Sequence, residues 1–408
     1  MRKLKYIDLF AGCGGLSDGF EQTKQYECVA AVEWAKAPCN TFISRLKNKW
    51  GHKDAAKRGM CFDIQKTDLL LNGWEGDELY GSGPGLDKLM RKYGKLDLII
   101  GGPPCQAYSV AGRIRDKHGM HRDYRNFLFE AYVRVVKHFK PKLFVFENVP
   151  GILSAAPGGV SIVERIRTAF DEIGYEIANN MRGEALLDLK DYAVPQDRKR
   201  VVLLGINREA FDKNPKELVR EFYANILPRF ASKKIKTVRD AIGDMPAFYP
   251  TKMDYRQVGR KFSHEPAETV LQGHNTRYHS RRDIKIFHDL AKDIQTGRKF
   301  FTIENIKKLY TEKTGKVSSV HKYYVLRWDA PSNTIPAHLY KDGLRHIHPD
   351  PDQSRTITPR EAARLQSFED DFCFLGSMGD QYRMIGNAVP PEFARRLALA
   401  IKEFLKKS

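Results

Sequence analysis

The sequence predicts an α/β protein built on a doubly wound, mostly parallel sheet, with a second, smaller domain attached. Three observations predict it. Through the first half of the 408 residues, short apolar runs alternate with helical patterns, the rhythm of stacked βαβ units. Those runs are nearly continuous in hydrophobicity, as strands covered on both faces must be. The first of them leads straight into a glycine-rich turn, and in open α/β sheets ligands gather beyond the carboxyl ends of strands.

Strands are expected over 6–10, 29–33, 60–64, 96–101, 143–148 and 201–206, with helices in the gaps. Leu128, Tyr132, Val135, Val136 and Phe139 recur at helical spacing. Ser161 and Glu164 have the spacing of a capping box ahead of Ile162, Ile166, Phe170 and Ile173, and Gly174 stops that helix. After Asn207 the pattern changes: the run to about 324 is rich in Lys, Arg, His and Tyr without a clear period, and reads as the second domain. A last helix over 391–404 places Phe393, Leu397, Ile401 and Phe404 on one stripe, behind a double proline whose missing N–H costs nothing there.

Composition bounds the function. With 42% hydrophobic residues the chain can bury a core, which excludes a disordered protein. No stretch approaches the roughly 18 apolar residues of a membrane span. The start passes from charges into the glycine turn too soon for a signal peptide, so a cytoplasmic protein is expected. The six cysteines show no C-x-x-C pair, which points to reduced thiols and no metal. A formal charge of +19 implies a polyanionic partner but says nothing of chemistry.

Four segments carry chemistry. Asp8 to Leu16, DLFAGCGGL, is a strand, glycine turn and helix start, where glycines let a ligand approach the backbone. The acids Glu33 and Asp63 end the next two strands. Glu33, beside Trp34, can accept ribose hydroxyls, although a strand-end acid facing water looks the same. In Gly101-Gly102-Pro103-Pro104-Cys105, two prolines stiffen the backbone that presents a thiol just past a buried strand. A cationic setting lowers a thiol pKa and makes the thiolate a nucleophile; an inert cysteine is the other reading. The strand at 143–148 delivers Glu147 and Asn148 at its end, and burial there would raise the glutamate pKa toward proton donation near neutrality. Arg198 and Arg200, at i and i+2 before another strand, project the same way toward a phosphate, carboxylate or base carbonyl, unless they belong to a solvated basic loop.

Together these blocks resemble the DNA cytosine-5 methyltransferases of the bacterial modification type. DLFAGCGGLS at 8–17, Glu33-Trp34, GGPPCQAYS at 101–109, FENVPG at 146–151, PQDRKR at 195–200, RTITPREAARLQSFEDDF at 355–372 and Gly386-Asn387-Ala388-Val389-Pro390 stand in the family's order. The resemblance implies a Rossmann-like fold that binds S-adenosylmethionine. It implies a catalytic and cofactor-binding domain over 1–208, a target-recognition domain over 209–378, and a C-terminal segment over 379–408 returning to the first. Phe10, Gly12, Gly14 and Gly15 should line the cofactor, with Glu33 on its ribose, Trp34, Asp63 and Ile64 around its adenine, and Pro103, Leu128, Asn387 and Val389 completing the pocket.

By the same resemblance, the Cys105 thiolate adds at carbon 6 of a flipped cytosine, Glu147 bonds the ring N3 and the amine, and Arg200 with Arg198 holds O2 and orients the carboxylate. The stretch 106–124 is expected to be a mobile loop closing over DNA. Segments such as HNTRYHSRRD at 274–283 are expected to read base edges. The expected partner is double-stranded DNA. A monomer is expected, acting at the nucleoid beside a cognate endonuclease that it need not touch. A tRNA cytosine methyltransferase, an inactive nucleic-acid-binding protein of this fold and an NAD-linked oxidoreductase are the alternatives.

Overall fold

The computed structural model describes residues 2–104, 128–156, 159–257, 259–265, 270–317 and 322–407. Cys105 and the expected loop at 106–124 lie outside the described residues. The chain forms two compact units, one comprising Met1–Ala193, Arg198–Lys233 and Ala388–Ser408, the other Val194–Asp197 and Lys234–Asn387.

The first unit is built on a sheet of β1 (Leu4–Leu9), β2 (Tyr26–Glu33), β3 (Gly59–Cys61), β4 (Leu98–Gly101), β5 (Leu143–Asn148), β6 (Tyr175–Glu176), β7 (Leu186–Asp188) and β8 (Lys199–Asn207). Its order is β3-β2-β1-β4-β5-β8-β6, with β7 also on β8. Strands β1 to β5 pair in parallel, whereas β8 runs antiparallel to its neighbours. Strand succession reverses direction between β1 and β4, which is where a doubly wound sheet opens its ligand crevice. The apolar runs foreseen as two-sided strands are so: Ile7, Ile99, Phe144, Phe146 and Ile206 are all fully buried.

Helices α1 (Gly15–Gln22), α2 (Lys36–Asn48), α3 (Leu128–Phe139) and α4 (Ile162–Glu172) follow the first strands. Asp18 of α1 fastens α2, accepting from Arg45 Nε at 2.7 Å and from Trp50 Nε1 at 2.9 Å. The capping box expected at α4 is absent: Ser161 makes no side-chain cap bond, and Glu164 pairs instead with Arg167 at 3.1 Å. An exposed ion pair is open to a carboxylate one turn along the helix, and it has won here.

The second unit contains α5 (Arg281–Thr296), α6 (Ile303–Thr314), α7 (Pro359–Leu365) and α8 (Met378–Asn387). Ile286, Phe287, Leu290 and Ala291 of α5 pack with Tyr323, Val325 and Ile347. The arginines and histidines of 274–283, expected to read bases, are committed to the unit itself. His274 and His279 are buried. Arg277 donates to the Leu339 carbonyl at 3.0 Å, Arg281 pairs with Asp254 at 2.8 Å, and Arg282 donates to the Lys313 carbonyl at 2.8 Å. Burial therefore corrects the base-reading assignment for the two histidines.

After Ala388 the chain rejoins the first unit through α9 (Pro391–Lys407). It packs on α1 where Gly19 leaves room; a Cβ there would lie 2.3 Å from the Pro391 carbonyl oxygen. Tyr26 Oη donates to the Ala398 carbonyl at 2.6 Å. The unit also runs past 208 to Lys233, because Tyr223 Oη bridges the Val202 carbonyl and the Leu204 N–H of β8, each at 2.8 Å.

Gly14 caps α1 at φ +92°, and a Cβ on it would lie 2.0 Å from Phe42 Cδ2. Gly14→Ala combines left-handed strain with overpacking of a buried ring, so about 3 kcal/mol of stability should be lost. Chemical denaturation reads this as a lower midpoint; an unchanged midpoint contradicts it.

Candidate active site

The turn after β1 is held from β2. Glu33 Oε2 accepts the Gly12 N–H at 2.9 Å, and Oε1 accepts the Ala35 N–H at 2.9 Å. Burial pushes the Glu33 carboxyl above its ordinary range, opposed by these backbone donors. The backbone bends sharply: Phe10, a non-glycine, takes φ +61°, Gly12 +57° and Gly14 +92°. Gly12 and Gly14 differ in kind. A Cβ on Gly14 would strike Phe42, whereas one on Gly12 would meet nothing within 4 Å. Gly15 is buried at the start of α1, and Cys13 is buried, which pushes its thiol above the ordinary range.

Beneath the turn, Asp8 accepts from Ser17 Oγ at 2.5 Å. Asp8 is fully buried, and burial raises its carboxyl to about 7. The signal for this pair was a carboxylate in an otherwise apolar strand, followed within the quoted block by a hydroxyl. Trp34, next to Glu33, is 59% exposed, a wide aromatic face open to a ligand. Asp63 lies two residues past β3, half-buried, and accepts the Gln65 N–H at 3.0 Å; Ile64 beside it is buried.

Across the crevice, β4 ends at Gly101 and the chain continues through Gly102 to the buried Pro103. Asn148 Nδ2, at the end of β5, donates to the Pro103 carbonyl at 3.2 Å. Glu147 Oε1 pairs with Arg200 Nε at 2.9 Å, both side chains being nearly buried. Glu147 Oε2 lies so close to Gly102 that a Cβ there would come within 2.7 Å of it. The ends of β4, β5 and β8 thus bring Pro103, Glu147 and Arg200 together, as register predicts from the pairing of Glu147 with Val202.

Arg198 is disposed differently from Arg200. Its guanidinium is buried, and Nη2 donates to the Ala388 carbonyl at 2.9 Å, tying the β8 approach to the returning segment. Burial, then the neighbouring Arg200, lowers its pKa, with Glu147 opposing. Val389 is buried beside that anchor, Leu128 is buried at the start of α3, and Asn387 is exposed at the end of α8 in the second unit. Among the described residues no cluster of metal ligands occurs and no helix is long and apolar enough to cross a membrane.

This strand order, with carboxylates from β2 and β5 facing a switch point between β1 and β4, is that of a doubly wound α/β protein with its ligand site at the strands' carboxyl ends. The sequence pattern of C-5 cytosine-specific DNA methylases matches residues 4–74 and 84–403, and the chain belongs to that family. It is 33% identical to the type II methyltransferase M.Bpa9945I of Bacillus paralicheniformis, over 98% of each chain, and 29% identical to M.AgeI of Thalassovita gelatinovora, over 98% and 99%. Among solved structures, a DNA modification methyltransferase encoded within an E. coli prophage has the same fold at 23% identity, with a TM-score of 0.59 over 99% of this chain and 100% of that one. The S. pombe Dnmt2 methyltransferase shares it at 14% identity and a TM-score of 0.53, over 98% and 99%.

Proposed function

We propose that this cytosine-5 methyltransferase takes its methyl group from S-adenosylmethionine and places it on carbon 5 of a cytosine flipped out of a specific duplex DNA sequence. We assign it to the modification half of a type II restriction–modification system. The observation that carries the chemical reading is the Glu147–Arg200 pair, set against Gly102, three residues before Cys105 in the sequence. The system-level reading rests on its relatives, which are named type II methyltransferases.

The residues of the β1 turn fit the cofactor. Open space over Gly12 gives a ligand access to the backbone, and the Glu33 oxygens, which accept backbone N–H groups, keep lone pairs for ribose hydroxyls. Trp34 offers its face to the adenine, with Asp63 and Ile64 beside it. When bound, S-adenosylmethionine supplies an electrophilic methyl group. Cys105 adds as thiolate to carbon 6 of cytosine, and the ring electrons move to make carbon 5 nucleophilic. Glu147 holds a proton at N3 as charge develops there, and Arg200 neutralises O2 while fixing the carboxylate. Loss of the carbon 5 proton returns the electron pair and expels the thiolate. Arg198 acts through the Ala388 segment, as a positioning residue. Flipping costs a few kcal/mol, which phosphate contacts from a chain of charge +19 offset.

Bisulfite sequencing of DNA from cells expressing the protein should show one sequence context protected at every copy. Methyl transfer to tRNA alone, in a direct comparison of substrates, would overturn the DNA reading. Two substitutions separate structure from binding. Gly12→Ala should cost the fold only the left-handed strain of φ +57°, about 1–2 kcal/mol, because no atom is struck, yet raise the S-adenosylmethionine Kd about tenfold. Asp63→Ala should raise that Kd and leave kcat at saturation unchanged. Calorimetric titration reads both, and unaltered binding in either variant removes that residue from the cofactor site. A protein active at the nucleoid as a monomer, without contact to an endonuclease, should sediment as one chain.

A further inference from the structure

Two cysteines that the proposed chemistry leaves unused lie together at the edge of the site. Cys61 ends β3 and pairs in register with Glu33 of β2. Its Sγ lies 4.0 Å from the Trp34 carbonyl oxygen. Cys39 sits in the first turn of α2, with its N–H donating to the Ala35 carbonyl at 3.1 Å. Helix and strand are in intimate contact, since a Cβ on Gly59 of β3 would fall 2.3 Å from Ile43 Cγ1 of α2. Cys39 lies one helical turn before Ile43 and Cys61 two residues after Gly59 on the same face of β3, so that contact sets the two thiols side by side, close enough for each to shift the other's titration. Cys39 is 1% exposed, whereas Cys61 is only half-buried, so one sulfur faces solvent and its neighbour is sheltered behind it.

We propose that Cys39 and Cys61 are a redox modification site, a reversible disulfide that weakens cofactor binding. The weakening rests on the S-adenosylmethionine reading above; the disulfide does not. The neighbouring Cys39, with Lys36 nearby, holds the Cys61 thiol below its ordinary range, which favours Cys61 as the attacking sulfur. Its thiolate attacks one oxygen of a peroxide, the O–O bond breaks, and a sulfenic acid forms as hydroxide or alkoxide leaves. The Cys39 sulfur then attacks that sulfur, the S–S bond forms, and water departs. The pair gives up two electrons and two protons to the peroxide, and a thiol reductant returns them.

The consequence follows from position. A covalent S–S bond is shorter than any contact between two separate thiols, so oxidation draws the first turn of α2 toward β3. That turn begins straight after Glu33, Trp34 and Ala35, where one Glu33 oxygen holds the Ala35 N–H and the other holds Gly12. Moving the turn moves the carboxylate and the glycine backbone at once.

The test uses the full chain carrying Cys105→Ser, so that oxidation of that thiol does not enter. After hydrogen peroxide, alkylation and digestion, mass spectrometry should find a Cys39–Cys61 linked peptide that dithiothreitol abolishes. Oxidation should raise the S-adenosylmethionine Kd about tenfold. The further substitution Cys61→Ser should remove both effects, and Cys39→Ser should do the same. Both thiols remaining alkylatable after peroxide would overturn the proposal. A linked peptide with unaltered Kd would overturn its coupling to the cofactor. Failure of the reduced protein to bind S-adenosylmethionine would count against the cofactor reading, and the linked peptide would still report on the disulfide.

Discussion

Cys105→Ala protein is expected to transfer no methyl group to duplex DNA above background while binding that DNA nearly as well as the parent chain. The ring of cytosine is too electron-poor at carbon 5 to take an electrophile unaided, and addition of sulfur at carbon 6 is what changes this. At the ends of β5 and β8, Glu147 is ion-paired and the two arginines are cations, so none of these three supplies the nucleophile. DNA affinity, by contrast, comes from contacts with phosphates, to which a small neutral side chain at 105 adds little. Radiolabelled methyl incorporation reads the first quantity and a binding titration at fixed salt the second. Methylation by the alanine variant at the parent rate would refute the proposed role of the sulfur.

The second large effect is expected of Glu147→Gln, a fall in kcat of about 10²–10⁴-fold, the usual reach of a positioned proton donor. The substitution preserves shape, so the crowded contact with Gly102 stays as it is. It removes the group that holds the proton at N3 and leaves Arg200 facing a neutral amide at the 2.9 Å contact. Because Glu147 lies across the crevice from the β1 turn, the S-adenosylmethionine Kd should stay at the parent value. A parent kcat, measured with saturating DNA, would remove Glu147 from the chemistry; a changed cofactor Kd would show that the two sides of the crevice are not separate.

The fold was legible wherever short-range pattern decides structure. The strand over 143–148 was foreseen to its ends, and those foreseen at 96–101 and 201–206 appear as Leu98–Gly101 and Lys199–Asn207. The strand expected to reach 64 stops at Cys61, because only Ala31 to Glu33 of β2 pair with it. Pairing partners are distant in sequence and leave no local trace. Helix α5 went unread although its apolar positions 286, 287, 290 and 291 have helical spacing, and Ser280 caps it by accepting the Asp283 N–H at 3.2 Å. Dense charge around them hid that stripe.

At the site, the positions of Glu147 and Arg200 followed from strand ends, while the contrast between Gly12 and Gly14 did not. Two glycines two residues apart look alike in sequence; only packing shows that one faces Phe42 and the other faces open space. The alternation that aims Arg198 and Arg200 to one side holds only within a strand, and β8 begins at Lys199. Arg198 therefore turns to the Ala388 carbonyl, a partner that returns to the first unit only with the last segment of the chain.

The central claim is that the sulfur of residue 105 bonds transiently to the cytosine ring. Duplex DNA carrying 5-fluorocytosine at the methylated position, incubated with the protein and S-adenosylmethionine, tests it directly, since fluorine cannot leave as the proton does. The account requires a protein–DNA species that survives denaturing electrophoresis and is absent with Cys105→Ala. Full consumption of the methyl donor with no such species, on a site that the protein methylates when it carries cytosine, would contradict it.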